Sequence, residues 1–151
     1  MAAVSTPWFV VRNVYLVLIT LFLLAILVQA YFAGRFIFGV DVNNSDHAGL
    51  GWPLAHTFAP LLFLVSLFTR GGKQVWITSI VWVAAAFALP LLAVVNETGS
   101  SPVEALHPPL AMVLLGLTLF LNYRAAMMVA DGRTAPTPQS MARSVPKAGA
   151  P

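Results

Sequence analysis

The chain has 151 residues, of which 59%, about 89, are apolar and only 9% charged, with a mean hydropathy of +0.84. A water-soluble domain carries roughly 25% charged residues, so a soluble globule is excluded, while about 20 apolar residues per crossing leave room for four membrane spans and little else. There are no cysteines, which excludes disulfides, thiolate metal sites, iron–sulfur clusters, c-type haem attachment and cysteine nucleophiles. The net charge of +3 does not point to nucleic acid, because the basic residues are scattered and form no stripe with interleaved aromatics.

The predicted order is a cytoplasmic segment 1–13, a four-helix transmembrane domain 14–130 and a disordered Pro/Ala-rich cytoplasmic tail 131–151. The first span, about 14–34, follows Arg12 and has Tyr15 and Tyr31 near its ends. Val28-Gln29-Ala30 also fits a signal-peptide cleavage pattern, but the apolar run continues to Phe38, which favours a retained anchor. A polar loop follows, and then the second span, about 49–69, with Pro53 and Pro60 inside it. The basic turn Arg70-Gly71-Gly72-Lys73-Gln74 leads to the third span, about 75–95, interrupted by Pro90. Each proline removes an amide hydrogen and crowds the carbonyl four residues earlier, so kinks are expected. Ala84, Ala85, Ala86 and Ala88 on this span, with Ala111 and Gly116 on the fourth, would let helix backbones approach closely.

The second outer loop carries the sequon Asn96-Glu97-Thr98 and a capping-box pattern, Ser101-Pro102-Val103-Glu104. The fourth span, about 108–129, opens with Pro108-Pro109, residues suited to a first helical turn.

Backbone polar groups cannot bond to lipid, so all four spans should be helices, and short connections imply an all-α, transmembrane up-down-up-down four-helix bundle. An even number of spans puts Arg12, Arg70, Lys73, Arg124, Arg133, Arg143 and Lys147 on one side. Arg35 is alone on the other, with Asp41, Asp46, Glu97 and Glu104. Seven against one predicts that both termini are cytoplasmic and that the chain is a multi-pass protein of the cell inner (plasma) membrane.

Three histidines could carry chemistry, because hydrocarbon penalises polar groups. His47 opens the second helix and His107 precedes the fourth, both at the outer boundary. His56 lies nine residues past His47, about 180° around an ideal helix and roughly 13 Å deeper. A single site joining the two helices would therefore use His47 with His107, which suits bis-imidazole ligation of haem b; the only metal expected is the haem iron. Leu54, Phe58, Leu110 and Leu114 would lie inward of it. A polar line, His107, Ala111, Leu114, Thr118 and Asn122, should face the bundle interior. The competing reading has the outer histidines wet or bonded to Asp46 or Glu104; His56 reads as buried against Gln29, with a ligand or proton-transfer role as its alternative. Trp8, Trp52 and Trp76 read as interfacial belt residues, with Trp82 deeper.

His47-x-x-x-Gly51-Trp52 and Leu106-His107-Pro108 resemble an uncharacterised family of small bacterial four-helix integral membrane proteins with histidines opening helices two and four. The likeness covers roughly residues 14–128. The layout is more distantly similar to b-type haem-binding four-helix bundles, as in the haem A synthase half-bundle, and that similarity implies a haem held by His47 and His107. The Arg and Glu residues that accompany such histidines in that enzyme are absent, so the resemblance carries haem binding and not haem modification.

Two functions follow as expectations: electron transfer through one haem b with a redox partner, or a non-catalytic accessory subunit of a larger membrane complex without a cofactor. A third is a small-molecule or lipid-binding module using a Pro-kinked cavity near His56. No nucleophile–base pair, carboxylate dyad within a span or phosphate-binding glycine loop is present, which favours a protein that is not an enzyme on its own.

Overall fold

The computed structural model describes residues 6–40, 45–94 and 104–134. They form four long helices and, among the described residues, no strand: α1 (Thr6–Ile37), α2 (Ser45–Leu67), α3 (Gly72–Val94) and α4 (His107–Thr134), the last preceded by a 3₁₀ turn at Glu104–Leu106. Each helix is long and apolar enough to cross a membrane, as a multi-pass membrane protein requires. The sequon at 96–98, the capping pattern at 101–104, apart from the turn backbone at Glu104, and the tail beyond 134 lie outside the described residues.

The helices run further than the sequence pattern predicts. α1 begins at Thr6 rather than near 14, and α4 continues to Thr134, so residues 131–134 extend a helix instead of opening a tail. Hydropathy marks the apolar stretch, whereas backbone hydrogen bonding carries a helix on through polar residues until a terminator stops it. For α1 that terminator is Gly39, at φ 71. The Gly39 amide bonds to the Phe36 carbonyl at 3.0 Å and the Val40 amide to the Arg35 carbonyl at 2.8 Å, the paired bonds of a Schellman cap.

α2 is not uniform. Ser45–Pro53 and Ala59–Leu67 are α-helical, and a π-turn at Leu54–Phe58 joins them, with the Ala59 amide bonding to the Leu54 carbonyl. The turn lies between Pro53 and Pro60. Pro60 has no amide hydrogen for the His56 carbonyl and would press on it in an ideal α-helix; widening by one residue relieves that contact.

α1 packs along α4, α4 along α3, and α2 lies against both α3 and α1, closing a ring around a core that includes Tyr15, Ile19, Phe22, Leu62, Trp82 and Leu121. Phe22 meets Trp82 edge to face at 4.9 Å. Several polar groups inside are paired. The Trp82 indole donates to Thr118 Oγ1 at 2.8 Å, and Thr118 donates to the Leu114 carbonyl at 2.7 Å. Asn122 Nδ2 donates to Thr20 Oγ1 at 2.7 Å, and Thr20 in turn donates to the Leu16 carbonyl. The expected polar line on α4 does face inward, because each of these groups finds its partner there. Gly116 does not serve close packing: a Cβ there would meet nothing within 4 Å.

The outer surface is apolar. Val17, Leu21, Leu24, Leu64, Leu91, Met112 and Leu119 are each more than half exposed, a surface that acyl chains and not water would cover.

Candidate functional site: the His47–His107 pair

The first turn of α2 is tied to α1 by a reciprocal pair of bonds. The His47 Nδ1 lies 3.2 Å from the Gln29 carbonyl oxygen, and Gln29 Nε2 donates to the His47 carbonyl oxygen at 2.7 Å. A carbonyl can only accept, so His47 carries its proton on Nδ1 and leaves the Nε2 lone pair free. This is the arrangement in which an imidazole serves as a metal ligand, its tautomer fixed by a backbone acceptor.

Gly51 makes the contact possible. It lies one turn after His47, and a Cβ there would come within 2.6 Å of Gln29 Nε2. The motif His47-x-x-x-Gly51 therefore has a steric reason: the glycine leaves the gap through which the Gln29 amide reaches the histidine's carbonyl. Nearby, Arg35 at the end of α1 pairs with Asp46 at 2.7 Å. The Asp46 carboxylate thus engages an arginine, and the His47 Nδ1 goes to a carbonyl.

His107 opens α4 and brings its ring to the His47 ring, with centroids 6.0 Å apart and planes inclined by 62°. It is hydrogen-bonded to the backbone of Leu89 on α3, so both imidazoles are held by backbone groups of neighbouring helices. Four helices contribute: α1 and α3 through main-chain positions, α2 and α4 through the rings. Inward of the pair, Leu114 is buried and Leu54 and Leu110 pack partly against the core. Phe58 differs from expectation. It is half exposed on the outer surface, because the π-turn rotates it away from the bundle.

His56 stands apart, as its spacing predicts. Its Nδ1 lies 3.1 Å from the Trp52 carbonyl one turn back, its ring stacks on Trp52 at 4.4 Å, and Phe87 of α3 meets it edge to face at 5.2 Å. The expected partner, Gln29, is engaged with His47 instead. Sequence depth along an ideal helix placed Gln29 near His56, but the packing of α1 on α2 sets Gln29 level with the first turn of α2.

Among the described residues, no group of three or more His, Asp or Glu side chains converges on a point that could hold a bare ion. Two imidazoles suffice only for a metal whose other ligands come with it, as in a porphyrin. The 6.0 Å centroid distance and 62° inclination are those of an edge-to-face contact between the two imidazoles.

No protein-family model, curated protein or solved structure matches the chain.

Proposed function

We propose that the chain is a b-type haem-binding electron-transfer protein of a bacterial inner membrane, in which His47 and His107 would hold the haem iron. The observation that carries this reading is the meeting of two imidazoles from different helices at one end of the bundle, with His47 committed through Nδ1 to a backbone acceptor and left with Nε2 for a metal. Bound haem would supply a one-electron iron couple. The chain's own contribution is orientation: the Gln29 carbonyl fixes the His47 tautomer, the Leu89 backbone restrains His107, and Gly51 keeps the Gln29 side chain seated. The resemblance to haem-binding half-bundles supports the same assignment.

The topology belongs to this reading. The four helices alternate up and down, both termini are cytoplasmic and the histidine pair lies at the outer face. Supporting it are the seven-to-one distribution of basic residues and the contacts at each end of the bundle. Arg12 reaches Thr69 and Met128 at one end, and Gln29, His47, His107 and Leu89 meet at the other.

The test is a reduced-minus-oxidised visible spectrum of detergent-purified protein supplied with haem. A b-type α-band is expected in the wild type and absent in His47→Ala and His107→Ala. A chain that stays colourless after haem supply overturns the proposal.

A further inference from the structure

The other end of the bundle carries a second feature, unrelated to the histidines. A groove of about 230 Å³ runs between α1 and α2, lined by Val10, Val11, Val14, Val65 and Phe68. Its lining is wholly apolar, Val10 and Phe68 are more than half exposed and Val14 nearly so, and it opens on the surface that meets acyl chains.

A cation stands beside it. Arg70, two residues beyond Phe68, places its guanidinium 3.8 Å over the ring of Trp8, two residues before Val10. Both groove walls therefore end at this stacked pair. The Arg70 backbone is itself informative: its φ of 54 is in the left-handed region, unfavourable for a side chain bearing a Cβ, although glycines occupy the next two positions. A glycine would satisfy the turn without strain, so what an arginine adds here is its charge. Arg12 lies close by, donating to the carbonyls of Thr69 at 3.0 Å and Met128 at 3.4 Å. These acceptors are neutral. Among the described residues no carboxylate forms a salt bridge with either cation, so an anionic headgroup would find charge to meet here.

We infer that this end of the α1–α2 groove binds an anionic phospholipid, one acyl chain lying along the valine-lined groove and the phosphodiester meeting the Arg70 guanidinium. A guanidinium offers a planar fork of donors to phosphate oxygens. A zwitterionic lipid brings its own ammonium and gains less from the same cation, so the site discriminates by headgroup charge.

Native mass spectrometry of the full chain, released from detergent with equal amounts of phosphatidylglycerol and phosphatidylcholine, tests this. The wild type should retain phosphatidylglycerol about fivefold over phosphatidylcholine, the order expected for one guanidinium near an anionic headgroup. Arg70→Gly removes the charge while relieving the backbone, and should bring the ratio to near parity. Lys73→Gln, an exposed cation outside the groove lining, should leave the ratio unchanged, and Val14→Phe, which fills the groove, should lower retention of both lipids. Parity in the wild type, an equal loss in Lys73→Gln, or unchanged retention in Val14→Phe would each overturn the site.

Discussion

Gln29 and His47 hold each other twice, the backbone carbonyl of the first meeting the ring of the second and the amide of the first meeting the backbone carbonyl of the second. A glutamine in an apolar helix and a histidine at a loop boundary would each be costly alone in hydrocarbon; together they pair four polar groups in two bonds. The Gln29 Oε1 atom remains buried without a partner, so the clamp directs the amide donor and not the acceptor toward α2.

This relationship sets the sign of a glycine substitution. Gly→Ala within a helix ordinarily stabilises by about 1 kcal/mol. At Gly51 the new methyl would lie 2.6 Å from Gln29 Nε2 and displace it from the His47 carbonyl. Gly51→Ala should therefore lower stability by about 1 kcal/mol in the wild-type background, the worth of the lost bond exceeding the helical gain. In a Gln29→Ala background the same change should stabilise. Thermal melts of the four members of this double-mutant cycle in detergent check it, and the same sign in both backgrounds would refute the steric account.

The buried pair Trp82–Thr118 makes an opposite kind of case. Thr118→Val keeps shape and adds apolar surface, yet it leaves the Trp82 indole hydrogen unpaired in the interior. A loss of about 1–3 kcal/mol is expected from that orphaned donor. Trp82→Phe should be costly by itself but should remove most of the further cost of Thr118→Val, and denaturation curves of the singles and the double report the coupling.

At the turn after α2, two adjacent positions should respond differently. A Cβ on Gly71 would meet Val75 at 2.8 Å and the Met128 sulfur at 2.9 Å, and a branched neighbour on a helix has little freedom to withdraw. Gly71→Ala should cost about 1–3 kcal/mol as overpacking. Arg70→Gly should leave stability about equal, since relief of the left-handed backbone offsets the lost contact with the Trp8 ring. Melting temperatures of the two variants side by side decide the matter.

The histidines should separate cleanly in the visible spectrum. His56 bonds to its own helix and stacks between Trp52 and Phe87, away from the His47–His107 pair. His56→Ala should keep the α-band that His47→Ala and His107→Ala abolish. An α-band lost in His56→Ala but kept in His107→Ala would move the site to the π-turn.

Much of this protein is legible without coordinates. About 89 apolar residues out of 151, in four long runs, leave helices as the only way to satisfy the backbone in lipid, and the inward-facing line of Leu114, Thr118 and Asn122 follows from the 3.6-residue period. The nine-residue offset likewise separates His56 from His47 before any packing is known.

Tertiary structure decided what those helices do to one another. That Gln29 meets His47 and not His56, that Gly51 is the gap between them, that a π-turn relieves Pro60 and turns Phe58 outward, and that Arg12 spans two helix ends all depend on the depth and rotation of one helix against another. Hydropathy is a property of one segment and is insensitive to sliding or turning that segment. Side-chain packing and paired polar groups are not, and they select a single register in which Gln29 meets His47 and Thr118 meets Trp82.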